Sequence, residues 1–206
     1  MRVLVLDEVA PETRVALIPD HVQTLRGLGL DVAVIAGAGV AAFFDDAAYS
    51  AMGADIVPAN LRHEAISRAD VVLTVRTIDE LDAKRMKAGA LALCFMQPVA
   101  SLPVLDALTQ VRASAISFEL IPRISRAQSM DALTSQALVA GYRAGLVAAE
   151  MLPKFFPLFM TAAGTIQPAR VLVLGAGVAG LQAIATAKRL GAIVSAYDVR
   201  PASADE

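Results

Sequence analysis

The stretch Gly175-Ala-Gly177-Val178-Ala179-Gly180 carries chemistry that needs glycine at fixed spacing, and it follows the aliphatic run 170–174 directly. In this pattern Gly175 permits a tight turn, Gly177 lets the backbone close on a pyrophosphate, and Gly180 lets the next helix pack on the strand. The positive end of that helix favours the phosphates. A second apolar run, 193–197, ends on Asp198, 23 residues after Gly175. A carboxylate there can accept from the hydroxyls of an adenine ribose. Strand, glycines, helix, strand and acid in this order form the context in which the motif is informative. The plainer alternative is a glycine-rich strand–helix turn that binds nothing. The combination is read as the first half of a nicotinamide dinucleotide site, with Val178, Ala179, Val199 and Arg200 in the same contact set. Asp198 favours NAD(H), because a carboxylate repels a 2′-phosphate, whereas Arg200 two residues on works against that exclusion.

The elements that must position this turn follow from the hydrophobic pattern. The chain has 206 residues, 56% hydrophobic and only 5% aromatic, with mean hydropathy +0.58. A core of small aliphatics suits parallel strands buried on both faces under helices. Runs at 3–6, 32–35, 71–75, 91–95 and 114–117 predict buried strands, and segments 19–28, 47–53, 61–67, 80–87 and 103–110 predict helices between them. The alternation predicts a doubly wound parallel sheet over roughly the first 120 residues. Residues 119–129 break the rhythm with a proline and two arginines and read as a structured loop. A long helix is expected from about Met130 to Met151, with the small residues of 140–145 permitting close packing. A turn over 152–160 and a polar link over 161–169 then lead to the glycine motif. The helix after it is expected to bury Val178, Leu181, Ile184 and Ala185 on one face. The fold class is therefore α/β, two Rossmann-like doubly wound parallel-sheet domains with the second incomplete: residues 1–129, and residues 130–206 as linker helix and first half of the NAD(H)-binding domain.

Other function classes are argued against. A net charge of −2 with scattered basic residues leaves no nucleic-acid footprint. The single cysteine, Cys94, lies in an apolar run and reads as core. No apolar run reaches the ~18–20 residues of a membrane helix, and 151–166 is interrupted by Lys154, Pro153 and Pro157. The chain is therefore expected to be soluble and cytoplasmic, with any membrane link made through a partner. His21 and His63 lie away from the motifs and read as surface or helix-end residues. No acid–base dyad, metal-ligand cluster or nucleophile–base pair stands out.

Four motifs carry a family resemblance through essentially the whole chain: Glu12-Thr-Arg-Val-Ala16, Pro122-Arg-Ile-Ser-Arg-Ala-Gln-Ser-Met-Asp131, Ala140-Gly-Tyr-Arg-Ala144 and the glycine segment 171–182. With them the chain resembles the NAD(H)-binding component of proton-translocating nicotinamide nucleotide transhydrogenase, a relative of alanine dehydrogenase. The resemblance implies that Arg123, Gln128 and Asp131 form the loop that holds the nicotinamide end of NAD(H), with Thr134 where the family more often has serine. The chemistry suits this: Gln128 can donate to and accept from a carboxamide, and Arg123 is a fixed fork of donors. The alternative for the same segment is a solvated loop with a helix cap at Ser129 or Asp131. It further implies direct hydride transfer to NADP(H) on a separate component, a membrane component that carries protons, and a homodimer attached peripherally to the inner membrane.

Alanine dehydrogenase is the rival by resemblance. Arg14 matches its carboxylate-binding arginine, but Arg76 stands at its lysine position and Gln97 at its histidine position. Glutamine cannot shuttle a proton, so amino-acid oxidation is not expected. The chain stops at Glu206, eight residues after Asp198, with only the first βαβ of the two halves that complete a dinucleotide domain. Weakened NADH binding, association through exposed apolar surface, or a non-catalytic remnant are the corresponding expectations.

Overall fold

The computed structural model describes residues 1–201; residues 202–206, the tail of the second expected domain, lie outside the described residues. Two compact units divide between Met130 and Asp131.

The first unit is built on six short strands, β1 (Arg2–Val5), β2 (Asp31–Ile35), β3 (Asp55–Val57), β4 (Val71–Leu73), β5 (Leu91–Cys94) and β6 (Ser114–Ser117). They pair in parallel in the order β3-β2-β1-β4-β5-β6. Helices α1 (Val22–Gly27), α2 (Asp46–Ala51), α3 (Arg62–Arg68), α4 (Glu80–Arg85) and α5 (Leu102–Gln110) connect them. Because successive strand residues point to opposite faces, neighbours on β1 enter different cores. Leu4 joins Ile35, Ile66, Val72 and Leu108 on one side, while Val5 joins Val22, Val34 and Tyr49 on the other. This is the double burial that the aliphatic composition predicts. Tyr49 is fully buried and donates its hydroxyl to the Leu17 carbonyl at 2.8 Å; burial pushes its pKa up to about 12. Cys94 is buried in the first core, as its apolar run predicts.

Three local readings need correction. The expected helix over 19–28 begins as a 3-10 turn at Pro19–His21 and becomes α-helical only at Val22. The strand expected over 71–75 pairs only at Val71–Leu73, because Thr74 and Val75 turn away to bond elsewhere: the Thr74 hydroxyl donates to the Arg76 carbonyl at 2.6 Å. Strand β3 went unpredicted, since three residues at a sheet edge with one of them buried leave no alternation to read.

The second unit holds α6 (Ala132–Met151), an antiparallel hairpin of β7 (Phe159–Thr161) and β8 (Gly164–Ile166), and the parallel pair β9 (Arg170–Leu174) and β10 (Ile193–Tyr197) joined by α7 (Val178–Arg189). The hairpin replaces the polar link expected over 161–169. Its strands are exposed on every residue, so no period-2 apolar signal marks them. Helix α6 starts at Ala132 rather than Met130 because Asp131 caps it, accepting from the Thr134 amide at 2.9 Å. Nor is α6 only a connector. Its Gly141 and Gly145 lie against α7, so close that a Cβ on Gly141 would stand 2.1 Å from the Ala179 carbonyl oxygen. Helix α7 buries Thr186 and Ala187, whereas Val178 of the expected face is 40% exposed. The reason is that α7 is covered on two sides, Thr186 meeting Gly145 of α6 and Ala187 joining Phe156, Ala169, Val171 and Val194 in a small core. The opposite face of β9 and β10 leaves Leu172, Leu174, Ile193 and Tyr197 exposed.

Candidate dinucleotide site

Strand β9 delivers Gly175 with φ +97°, a left-handed conformation that glycine adopts at no steric cost. Its amide donates to the Tyr197 carbonyl at 2.7 Å, so the turn grows out of the β9–β10 ladder. Gly180, on the first turn of α7, lies directly over it: a Cβ there would stand 1.8 Å from the Gly175 oxygen. No such crowding occurs at Gly175 or Gly177, where a Cβ would meet nothing within 4 Å. The turn is therefore packed from below and open above. Gly177 is the N-cap of α7 and supplies no side-chain acceptor, so the helix begins without a side-chain cap. Amides in that position suit an anion. A pyrophosphate fits this cradle, since the open side is bare backbone and the closed side is where the third glycine is required.

Asp198 braces the same turn from β10. One carboxylate oxygen accepts from the Ala176 amide at 2.7 Å, and the other accepts from the Arg200 amide at 2.8 Å and Arg200 Nε at 3.2 Å. The Arg200 side chain and then the two amides hold the Asp198 pKa down to about 2. Sequence reasoning assigned Asp198 to a ribose and did not foresee the bond to Ala176. Val178 and Ala179 stand on the first turn of α7, and Val199 is exposed beyond Asp198.

The loop residues divide between the two units. In the first, Arg123 and Gln128 are exposed; Gln128 lies on a 3-10 turn, Ser125–Met130, anchored by buried Ala127. In the second, Asp131 and Thr134 bond each other, with the Thr134 hydroxyl donating to the Asp131 carboxylate at 2.6 Å in addition to the amide bond. The helix-cap alternative for Asp131 is thus realised.

The first unit treats the ends of its strands differently. Its order places the reversal of strand direction between β1 and β4, the crevice where open α/β sheets bind ligands. Glu8, just past β1, fills that gap by accepting from the amides of Val75 and Arg76, the latter at 3.2 Å. Glu119 does the same past β6, accepting from the amides of Met96, at 3.1 Å, and Gln97. Gln97 itself is left-handed, at φ +46°. Arg14 is held by Glu12 at 2.7 Å and lies 6.0 Å over the Phe95 ring; that hydrogen-bonded pairing lowers the Glu12 pKa to about 2. Neither Glu8 nor Glu119 was singled out from sequence. An acid one to three residues past a strand end is the only mark they leave.

A parallel sheet with strand order 3-2-1-4-5-6, followed by a strand–glycine turn–helix–strand–acid unit, defines a protein of the Rossmann-like, nucleotide-binding class. Family models sharpen this: the alanine dehydrogenase/PNT N-terminal domain matches residues 4–140 and the corresponding C-terminal domain matches residues 144–206. The chain belongs to the alanine dehydrogenase/PNT family. It is 49% identical over its whole length to an NAD(P) transhydrogenase subunit alpha chain of Rhodospirillum rubrum, covering 55% of that protein. Alanine dehydrogenase of Mycolicibacterium smegmatis is 32% identical over 91% of the chain, which covers 50% of that protein. The crystal structure of transhydrogenase from Sinorhizobium meliloti superimposes with a TM-score of 0.94 at 43% identity, covering all of this chain and 61% of that one. The chain thus spans about half the length of the curated relatives it matches. No helix among the described residues is long and apolar enough to cross a membrane.

Proposed function

We propose that this chain supplies the NAD(H)-binding turn of a transhydrogenase, in which hydride passes between NAD(H) here and NADP(H) on a separate component. The observation that carries the reading is the turn from Gly175 to Gly180, packed beneath by Gly180, open above Gly177, and braced by Asp198. The nicotinamide ring carries the hydride chemistry; the protein's part is to bind, orient and exclude water. In this reading the amides of Gly177 to Ala179 meet the pyrophosphate, and Asp198 meets the adenine ribose. Val199 and Arg200 flank that ribose. Arg123 and Gln128 hold the carboxamide, and Asp131 and Thr134 act by fixing the start of α6. Hydride transfer asks for no side-chain acid or base, which agrees with Gln97 and Arg76 standing where an alanine dehydrogenase would need histidine and lysine. Partner subunits would provide the NADP(H) site and the proton path, and the chain would work as a dimer at the membrane surface.

The test is a fluorescence titration of NADH with the chain, followed by mixing with an NADP(H)-binding component and a membrane component. Hydride transfer from NADH to an NADP analogue is expected, with no turnover of L-alanine. A folded chain that neither binds NADH nor supports transfer would overturn the proposal.

A further inference from the structure

We infer that Arg200 sets how sharply this site separates NAD(H) from NADP(H), through its hold on Asp198. The inference rests on the reading of the glycine turn as a dinucleotide site. The Asp198 carboxylate accepts from four donors: the amides of Ala176 and Arg200 at 2.7 and 2.8 Å, and Arg200 Nε and Nη2 at 3.2 and 3.4 Å. A carboxylate offers about four lone-pair positions, so all of them are engaged. The two amide bonds are short and belong to the backbone of the turn and the strand end. The two guanidinium bonds are long, and the Arg200 side chain is 58% exposed while that of Asp198 is 10% exposed. The acceptor positions open to an incoming ligand are therefore the ones the Arg200 side chain now holds.

The two nucleotides ask opposite things of that side chain. The free 2′- and 3′-hydroxyls of NAD(H) donate, so they replace the guanidinium on Asp198, and Arg200 must move aside. A 2′-phosphate has nothing to donate at neutral pH and meets the carboxylate as a like charge. It is tolerated only while the guanidinium stays between them, where its planar fork suits phosphate oxygens. Discrimination is thus a property of the Asp198–Arg200 pair rather than of the acid alone.

The experiment compares dissociation constants for NADH and NADPH, by nucleotide fluorescence, on the full chain and on Arg200→Ala and Arg200→Lys. In R200A, NADH binding should tighten about twofold and NADPH binding weaken about fivefold, the scale of exposed charge contacts. The ratio of the two constants then moves roughly tenfold, with R200K between. Raising salt to about 0.5 M should shrink the NADPH effect, since it comes from exposed charge; a structural effect of Arg200 would not respond this way. An unchanged ratio in R200A, NADPH excluded from the unaltered chain as strongly as from R200A, or a ratio shift indifferent to salt would overturn the inference. If the unaltered chain binds neither nucleotide, the dinucleotide reading itself fails and takes this inference with it.

Discussion

Replacing Gly141 by alanine adds one methyl group at the closest approach of α6 to α7, and the structure says what that methyl meets. Its position lies 2.1 Å from the Ala179 carbonyl oxygen, 2.8 Å from the Ala179 carbonyl carbon and 2.9 Å from the Ala179 Cα. Comfortable carbon contacts begin near ~3.5 Å. All three neighbours are backbone atoms on the first turn of α7, so no rotamer change can relieve the overlap and the helices must separate by roughly 1 Å. Overpacking of this kind costs about 1–3 kcal/mol, and a backbone obstacle puts it at the upper end. Against this, alanine is better than glycine inside a helix by about 1 kcal/mol. The net is a loss of roughly 2 kcal/mol, or a fall of about 10 °C in the melting temperature of the unit that holds α6 and α7.

The measurement is thermal and urea denaturation followed by circular dichroism, with Gly27→Ala beside it. Gly27 closes α1, has ordinary helical geometry and would place its Cβ in open space. There the same chemical change should stabilise, by about 0.5–1 kcal/mol. Opposite signs for one substitution at two helical glycines separate packing from propensity. A G141A protein as stable as the unaltered chain, or two shifts of the same sign, would refute the reasoning.

Other perturbations follow from the same contacts. Asp131→Ala removes the N-cap of α6 and should cost about 1 kcal/mol, whereas Asp131→Asn keeps an acceptor and should stay within a few tenths; urea midpoints for the pair check this. Arg62 bonds both Asp7 and Asp82, and Asp82 is only 2% exposed. Burial acts to lower the Arg62 pKa, but the hydrogen bond and charge of Asp82 outweigh it and raise the value. Arg62→Met would strand a buried carboxylate and should destabilise the first unit by roughly 3 kcal/mol, with loss of cooperative melting near neutral pH as the sign. Glu12 and Asp198 both have pKa values of about 2 in the folded chain, below ordinary values of 4.5 and 3.8. Depressed folded values mean that their contribution is complete above the ordinary values and is lost as pH falls from about 4.5 toward 2. Denaturation midpoints across that window should drop, and Glu12→Gln should flatten the slope.

What the sequence made legible follows from where signal accumulates. The aliphatic bursts in β1, β2 and β5 mark strands buried on both sides, and β6, β9 and β10 were read to the residue. Where burial is slight the reading failed: β3 is too short, and the hairpin β7–β8 buries nothing, so neither writes a period into the chain. The glycine turn was legible because backbone conformation and close packing restrict residue type at Gly175 and Gly180. The tether from Asp198 to Ala176 was not, because an amide donor is present at every non-proline residue and leaves no mark. Asp131 shows a different limit. Aspartate at a helix start satisfies a cap as well as it could hold a ligand, so residue type alone leaves both open, and the bonds to Thr134 are what realise the cap.

The two units use one device to opposite effect. In each, a carboxylate beyond a parallel strand accepts from backbone amides on a neighbouring turn: Glu8 from Val75 and Arg76, Asp198 from Ala176. Glu8 sits between β1 and β4, in the crevice that the strand order would otherwise leave for a ligand, and an anion there would meet its charge. Asp198 approaches its turn from the side, engages Ala176, and leaves open space over Gly175 and Gly177. A phosphate-bearing ligand is thus repelled at the switch point of the six-stranded sheet and accommodated at the glycine turn of the smaller unit. Fold alone would nominate both places; the position of one carboxylate in each decides between them.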